Sequence, residues 1–170
     1  MSNLYQTIFF VKISIILSSC SGVVPLTIGQ FARCPEKPNC VSTKNSSIEN
    51  TIKPIFYKGS HENAKQNLLL AIKTFGSAKV KKELDQFIHV EFTSNIFRFI
   101  DDVEFYLTEQ GVIHFRSASR IGHSDLGVNR RRVEMIRIAF NNINKTQEKE
   151  DSSRQKTKTK KLSGQENNHI

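Results

Sequence analysis

From Ile88 to Ser119, apolar and polar residues alternate with a period of two through three successive segments. That rhythm restricts this part of the chain to an antiparallel sheet with one apolar face. In Ile88-His-Val-Glu-Phe92 the even positions are apolar. From Phe97 onward the odd positions carry that role, at Phe97, Phe99, Val103, Phe105 and Leu107. A two-residue turn at Ser94-Asn95 pairs Phe92 with Phe97 and Val90 with Phe99, and keeps one apolar face. It sets Glu91 opposite Arg98. A three-residue turn at Glu109-Gln110-Gly111 pairs Leu107 with Ile113 and Phe105 with Phe115, and sets Glu104 opposite Arg116. A two-residue turn would place Phe105 against Arg116. The other face, with Glu91, Arg98, Glu104 and Arg116, reads as charge-paired surface, each pair contributing about 0.2–1 kcal/mol.

Helical spacing flanks this pattern. Ile52 to Tyr57 reads as a short strand, and Ala64, Leu68, Ala71, Ile72 and Phe75 form one face of a helix over 61–75 that ends at Gly76. Val133, Ile136, Phe140 and Ile143 form the stripe of a second helix, with Asn129 as its N-cap candidate. The expected architecture is a single α+β domain, an antiparallel sheet of about four strands with two helices packed on one face.

Asp101 breaks the alternation. It lies in phase with Phe99 and Val103 and points to the core, with Ser119 opposite it and Ser117 alongside. A carboxylate there must be protonated or paired. The alternative is a bulge at Asp101-Asp102 that turns the first aspartate outward. Further on, Arg130-Arg-Arg132 opens the second helix, where the macrodipole favours acids. Asp101, Asp102 and Asp125 are the internal counter-charges on offer, and a bound phosphate or carboxylate is the external one. The candidate ligand-binding set is therefore Asp101, Ser117, Ser119, Arg120, Asp125, Asn129 and Arg132. An ion pair of Asp101 with Arg132 or Arg120 would make the same residues purely structural.

Catalytic templates fit poorly. Ser117 and Ser119 have no histidine base beside them in this register, although His123 could approach one. Asp102 and Glu104 share a face with Arg98 and Arg116, which would repel a cation, so no metal site is expected. His89 and His114 are isolated strand residues. No phosphate-cradling glycine loop or dinucleotide fingerprint is present, and no cofactor is implied.

The two ends differ from the middle of this 170-residue chain. Residues 1–20 hold a short apolar stretch, with Lys12 inside it, closing on Leu17-Ser-Ser-Cys20. This suits an export signal better than a membrane span, which needs about 20 apolar residues. The ending resembles the lipobox of bacterial lipoproteins, which makes Cys20 the expected lipidation site. The alternative is an uncleaved amphipathic anchor. Residues 21–32 read as a linker and 33–143 as the domain. Residues 144–170 have almost no apolar residues and read as a disordered basic tail. Seven basic and four acidic residues give that tail +3 of the formal +9. No aromatic residues are interleaved to stack on bases, so no specific nucleic-acid partner is expected.

With Cys20 lipidated, Cys34 and Cys40 remain, separated by five residues of which two are prolines. Outside the cytoplasm such a pair should oxidise to a structural disulfide. Zinc would need two further ligands, and no Cys or His lies nearby in sequence.

Three motifs in order, over 34–42, 97–105 and 116–133, resemble the family catalogued as domain of unknown function 1499, with the likeness running from Arg33 to about Ile143. Members of that family are often exported bacterial proteins with lipoprotein-like starts. The resemblance implies a domain and an envelope location, with no chemistry attached. The functional expectation is a lipid-anchored, non-enzymatic envelope module facing the periplasm or extracytoplasmic side, which binds a small anionic ligand through the Asp/Ser/Arg set. A hydrolase using Asp101, Ser119 and the arginines is the alternative.

Overall fold

The computed structural model describes residues 24–44 and 47–165, with side chains described as far as residue 156. The expected export signal and Cys20 lie outside the described residues. In chain order the elements are β1 (Cys40–Ser42), β2 (Ile55–Phe56), α1 (His61–Lys73), β3 (Ala78–Glu83), β4 (Phe87–Thr93), β5 (Ile100–Glu109), β6 (Val112–Ser119) and α2 (Val128–Gln165). Among the described residues, six strands make one antiparallel sheet in the order β1-β6-β5-β4-β3, with β2 also paired to β6. The α+β class stands, with more strands than about four. The additions are short β1, which starts at the second cysteine of the disulfide loop, and β3, whose Lys79, Lys81 and Lys82 suit an exposed edge.

One apolar cluster joins both helices to the sheet. Ala64, Leu68, Ala71 and Ile72 of α1 and Val133, Ile136 and Phe140 of α2 meet Ile88, Val90, Val103, Phe105, Ile113 and Phe115. Ser60 caps α1, its hydroxyl accepting the Asn63 N–H at 3.2 Å.

The β5–β6 register is the one the alternation predicts, with Phe105 opposite Phe115, Glu104 opposite Arg116 and Asp101 opposite Ser119. A shift between Tyr106 and Glu109 tightens the turn onto Gln110-Gly111, where Gly111 supplies φ +81°. The β4–β5 register differs from expectation. Val90 faces Val103, and Phe92 faces Asp101. The strands slide by four residues, and Ser94–Phe99 becomes a loop closed by Ser94 N–H to Phe99 O at 2.8 Å. An even slip leaves every side chain on its own face, so alternation alone cannot distinguish the two pairings. Phe97 and Phe99 leave the sheet and stack on each other, and Arg98 takes φ +58° in the turn.

The two flanking segments also depart from the reading. Residues 24–31, expected as linker, fold as a strap on the sheet, where the Gly29 N–H reaches Glu104 and the Phe31 ring stacks on Tyr106. The tail expected to be disordered continues α2 to Gln165. Its lysines, glutamates and glutamines have high helix propensity, and it extends a helix already nucleated on the core. Asn144 and Gln147 fix its first turns by accepting hydrogen bonds from Asn67 at 2.6 and 2.7 Å.

Cys34 and Cys40 form the expected disulfide, with their Cα atoms 5.6 Å apart. Closing so small a loop should stabilise the fold by about 2 kcal/mol. Cys34→Ser paired with Cys40→Ser should lower the urea unfolding free energy by about that amount while leaving far-UV circular dichroism unchanged.

Candidate functional site

Asp101 points into the helix-facing layer, where no bulge diverts it, and it is met by Arg132 of α2, whose Nη2 donates to Oδ2 at 2.5 Å. Arg132 also donates to Asn129 Oδ1 at 2.6 Å and lies over the Phe92 ring, 4.8 Å from its centre. Asn129 is fully buried and serves as a junction. Its Oδ1 accepts the Ser117 hydroxyl at 2.5 Å, and its amide nitrogen donates at 3.0 Å to Asn39 O and to Ser119 Oγ. Asn129 is therefore not the cap. Asp125 caps α2, accepting the N–H groups of Gly127 and Asn129 at 2.9 and 2.7 Å. That carboxylate supplies the negative charge which the positive end of the macrodipole and its three arginines require. The described clefts run along α1 and α2 rather than beside this cluster.

Arg120 does not join this cluster. It lies on the opposite face of the sheet, where its Nε and Nη2 donate to the two Asp102 oxygens, each at 2.8 Å, and Nη2 also reaches Glu91. His89 Nε2 completes the group at 2.7 Å from Asp102 Oδ1, and Lys81 pairs with Glu91 at 3.2 Å. This is the face expected to be charge-paired surface. It is instead buried: the Asp102 and Arg120 side chains are 1% and 3% exposed. Burial pushes the Asp102 carboxyl up, but the hydrogen bonds and charges of Arg120 and His89 outweigh it and hold the group below its ordinary value. Glu91 is likewise lowered, with Arg120 and Lys81 overcoming its desolvation. The Asp102 hydrogen bond in turn raises Arg120, against burial.

Further along the same face, Glu104 is fully buried and accepts three donors. These are Arg116 Nη1 at 3.1 Å, the Tyr106 hydroxyl at 2.5 Å and the strap N–H of Gly29 at 2.8 Å. Tyr106 accepts the Phe31 N–H at 2.8 Å, and burial together with the Glu104 contact pushes its own pKa up. The sequence reading missed this layer because it treated alternation with charge as evidence of solvent. One signal was available: the cations of this face on β6 are arginines, whereas edge strand β3 carries lysines. Arginine tolerates burial in multidentate pairs far better.

Chemically, the carboxylates of both clusters are fully engaged, and Arg116 Nε is a buried donor without a hydrogen-bond partner. The Ser117 hydroxyl is committed to Asn129, and no hydrogen bond among the described residues links His123 to Ser117 or Ser119. Among the described residues, no group of three or more His, Cys, Asp or Glu side chains could hold a metal ion. Nor is any helix of the described residues long and apolar enough to cross a membrane.

The family model described as "Protein of unknown function (DUF1499)" matches residues 30–140. The chain belongs to this family. The match takes in the Phe31 end of the strap, the disulfide loop, every strand and the packed part of α2. No curated protein matches the chain.

Removing Arg120 would take the shared donor from two buried carboxylates and leave them only His89 and Lys81, so Arg120→Ala should cost roughly 3–5 kcal/mol in urea unfolding. Adding Asp102→Asn and Glu91→Gln should recover much of that loss. Because both carboxyls have lowered pKa values when folded, their stabilisation is complete above the ordinary carboxylate range. It disappears as pH falls through the lower folded values. The urea midpoint should therefore hold from pH 7 to about 5 and fall steeply below about 4, with Asp102→Asn flattening that acid limb.

Proposed function

We propose that this DUF1499 chain is an exported, lipid-anchored module of the cell envelope that acts without catalysis. The observation that carries this reading is the Cys34–Cys40 disulfide, which belongs to an oxidising compartment. The Leu17-Ser-Ser-Cys20 ending supplies the anchor, with Cys20 as the acylated first residue of the mature protein. A mature chain beginning there has four residues before Val24, Cys20 included, so the membrane end lies close to the strap that seals the outer face of the sheet.

Anion binding through Asp101, Ser117, Ser119, Arg120, Asp125, Asn129 and Arg132 receives little support from the geometry. Arg132 is neutralised by Asp101, Arg120 by Asp102 and Glu91, and the two arginines stand on opposite faces. Asp125 is occupied as a helix cap. The hydrolase alternative is no better served, since Ser117 donates to an amide oxygen rather than to a base.

Fractionation with mass spectrometry tests the anchor. The wild-type chain should partition with membranes and carry a diacylglyceryl-modified Cys20 at its amino terminus, and Cys20→Ser should move to the soluble fraction. An intact amino terminus with an unmodified Cys20 would overturn the anchored reading. A thermal-shift screen of anionic metabolites should give no shift for wild type, and a shift abolished by Arg132→Ala would restore the anion site.

A further inference from the structure

Away from these two clusters, a cleft of about 620 Å³ lies between β2, α1 and α2. Its volume is in the range of small-molecule sites. Five amide side chains line it: Asn63 and Asn67 from α1, and Asn141, Asn144 and Gln147 from α2. Asn67 donates to Asn144 and Gln147 and accepts from Gln147 at 2.8 Å, which fixes the wall between the helices. Among the described residues, the side chains of Asn63, Asn141, Glu148 and Asp151 make no hydrogen bond or ion pair. Lys58 and Lys145 balance those two acids, so the lining is formally neutral.

A further feature points to a ligand. Phe56 lines the same cleft and is 66% exposed, an aromatic face held out on a two-residue edge strand.

We propose that this cleft binds a neutral oligosaccharide. Planar amides and carboxylates offer paired donors and acceptors to ring hydroxyls. The exposed Phe56 ring offers a flat apolar surface to the C–H face of a pyranose, and charge balance favours an uncharged ligand over an anion or a polycation. A second, smaller cleft of about 290 Å³ shares Asn63, Asn67, Gln147 and Asp151, which lengthens the groove along the helices to suit more than one sugar unit.

The test is calorimetric titration of the full chain, in a detergent without a sugar headgroup, with chitotetraose, cellotetraose and maltotetraose. At least one should bind with a Kd from tens of micromolar to about a millimolar, as expected of a shallow polar site. Phe56→Ala should weaken that binding at least tenfold without changing the melting temperature, because its ring is mostly outside the core. No heat with any of the three sugars, or binding indifferent to Phe56→Ala, would overturn the proposal. So would binding of inorganic phosphate in place of the sugars.

Discussion

β5 is buried on both of its faces, and the rest of the molecule is arranged around that constraint. Val103, Phe105 and Leu107 point to the helices, while Asp102, Glu104 and Tyr106 point the other way and are equally withdrawn from water. A strand covered on one side by apolar packing needs no explanation beyond the hydrophobic effect. A strand covered on the other side by carboxylates requires a donor for each oxygen, because an unpaired buried charge is worth several kcal/mol against folding. Arg120, His89, Arg116 and the Tyr106 hydroxyl are those donors, with the backbone N–H of Gly29 completing the set.

The neighbours Asp101 and Asp102 tie the two layers together. The pleat sends their side chains to opposite faces, so one dipeptide anchors an element on each side of the sheet. Asp101 holds α2 through Arg132, and Asp102 holds the segment after β6 through Arg120. Asn129 and Asn39 link the same corner to the disulfide loop. The position of α2, the disulfide loop and the end of β6 are thus set jointly, and a change at one is felt by the others through hydrogen bonds of fixed geometry.

How far the sequence discloses this can be judged residue by residue. The odd-position phase of β5 placed Asp101 inward opposite Ser119, and the helix stripe carried Arg132 inward, so their meeting was legible from two periodicities alone. The β4–β5 register was not, because an offset of four residues preserves both faces, and only the requirement that Glu91 and Asp102 share Arg120 distinguishes it. The burial of the polar face was hidden for a related reason. Alternation reports that two faces differ in chemistry and is silent on whether the polar one is wet. The strap was invisible because residues 24–31 carry no periodicity, and their hold on the sheet comes from two backbone N–H groups and one stacked ring.

The division between satisfied and unsatisfied polar groups is what separates scaffold from surface here. Around β5 the carboxylates and arginines are bound to one another, so a ligand would have to break an existing buried pair to gain a new one, an exchange that desolvation makes unfavourable. Along α1 and α2 the arrangement is the reverse. The Asn67–Asn144–Gln147 ladder fixes the helices, and beside it lie amides, acids and an aromatic ring with no internal partner. A ligand arriving there displaces only water, against a wall already held in place. Preorganised, unfilled hydrogen-bonding capacity is the physical requirement for recognition. In the described part of the chain it collects in the groove between α1 and α2.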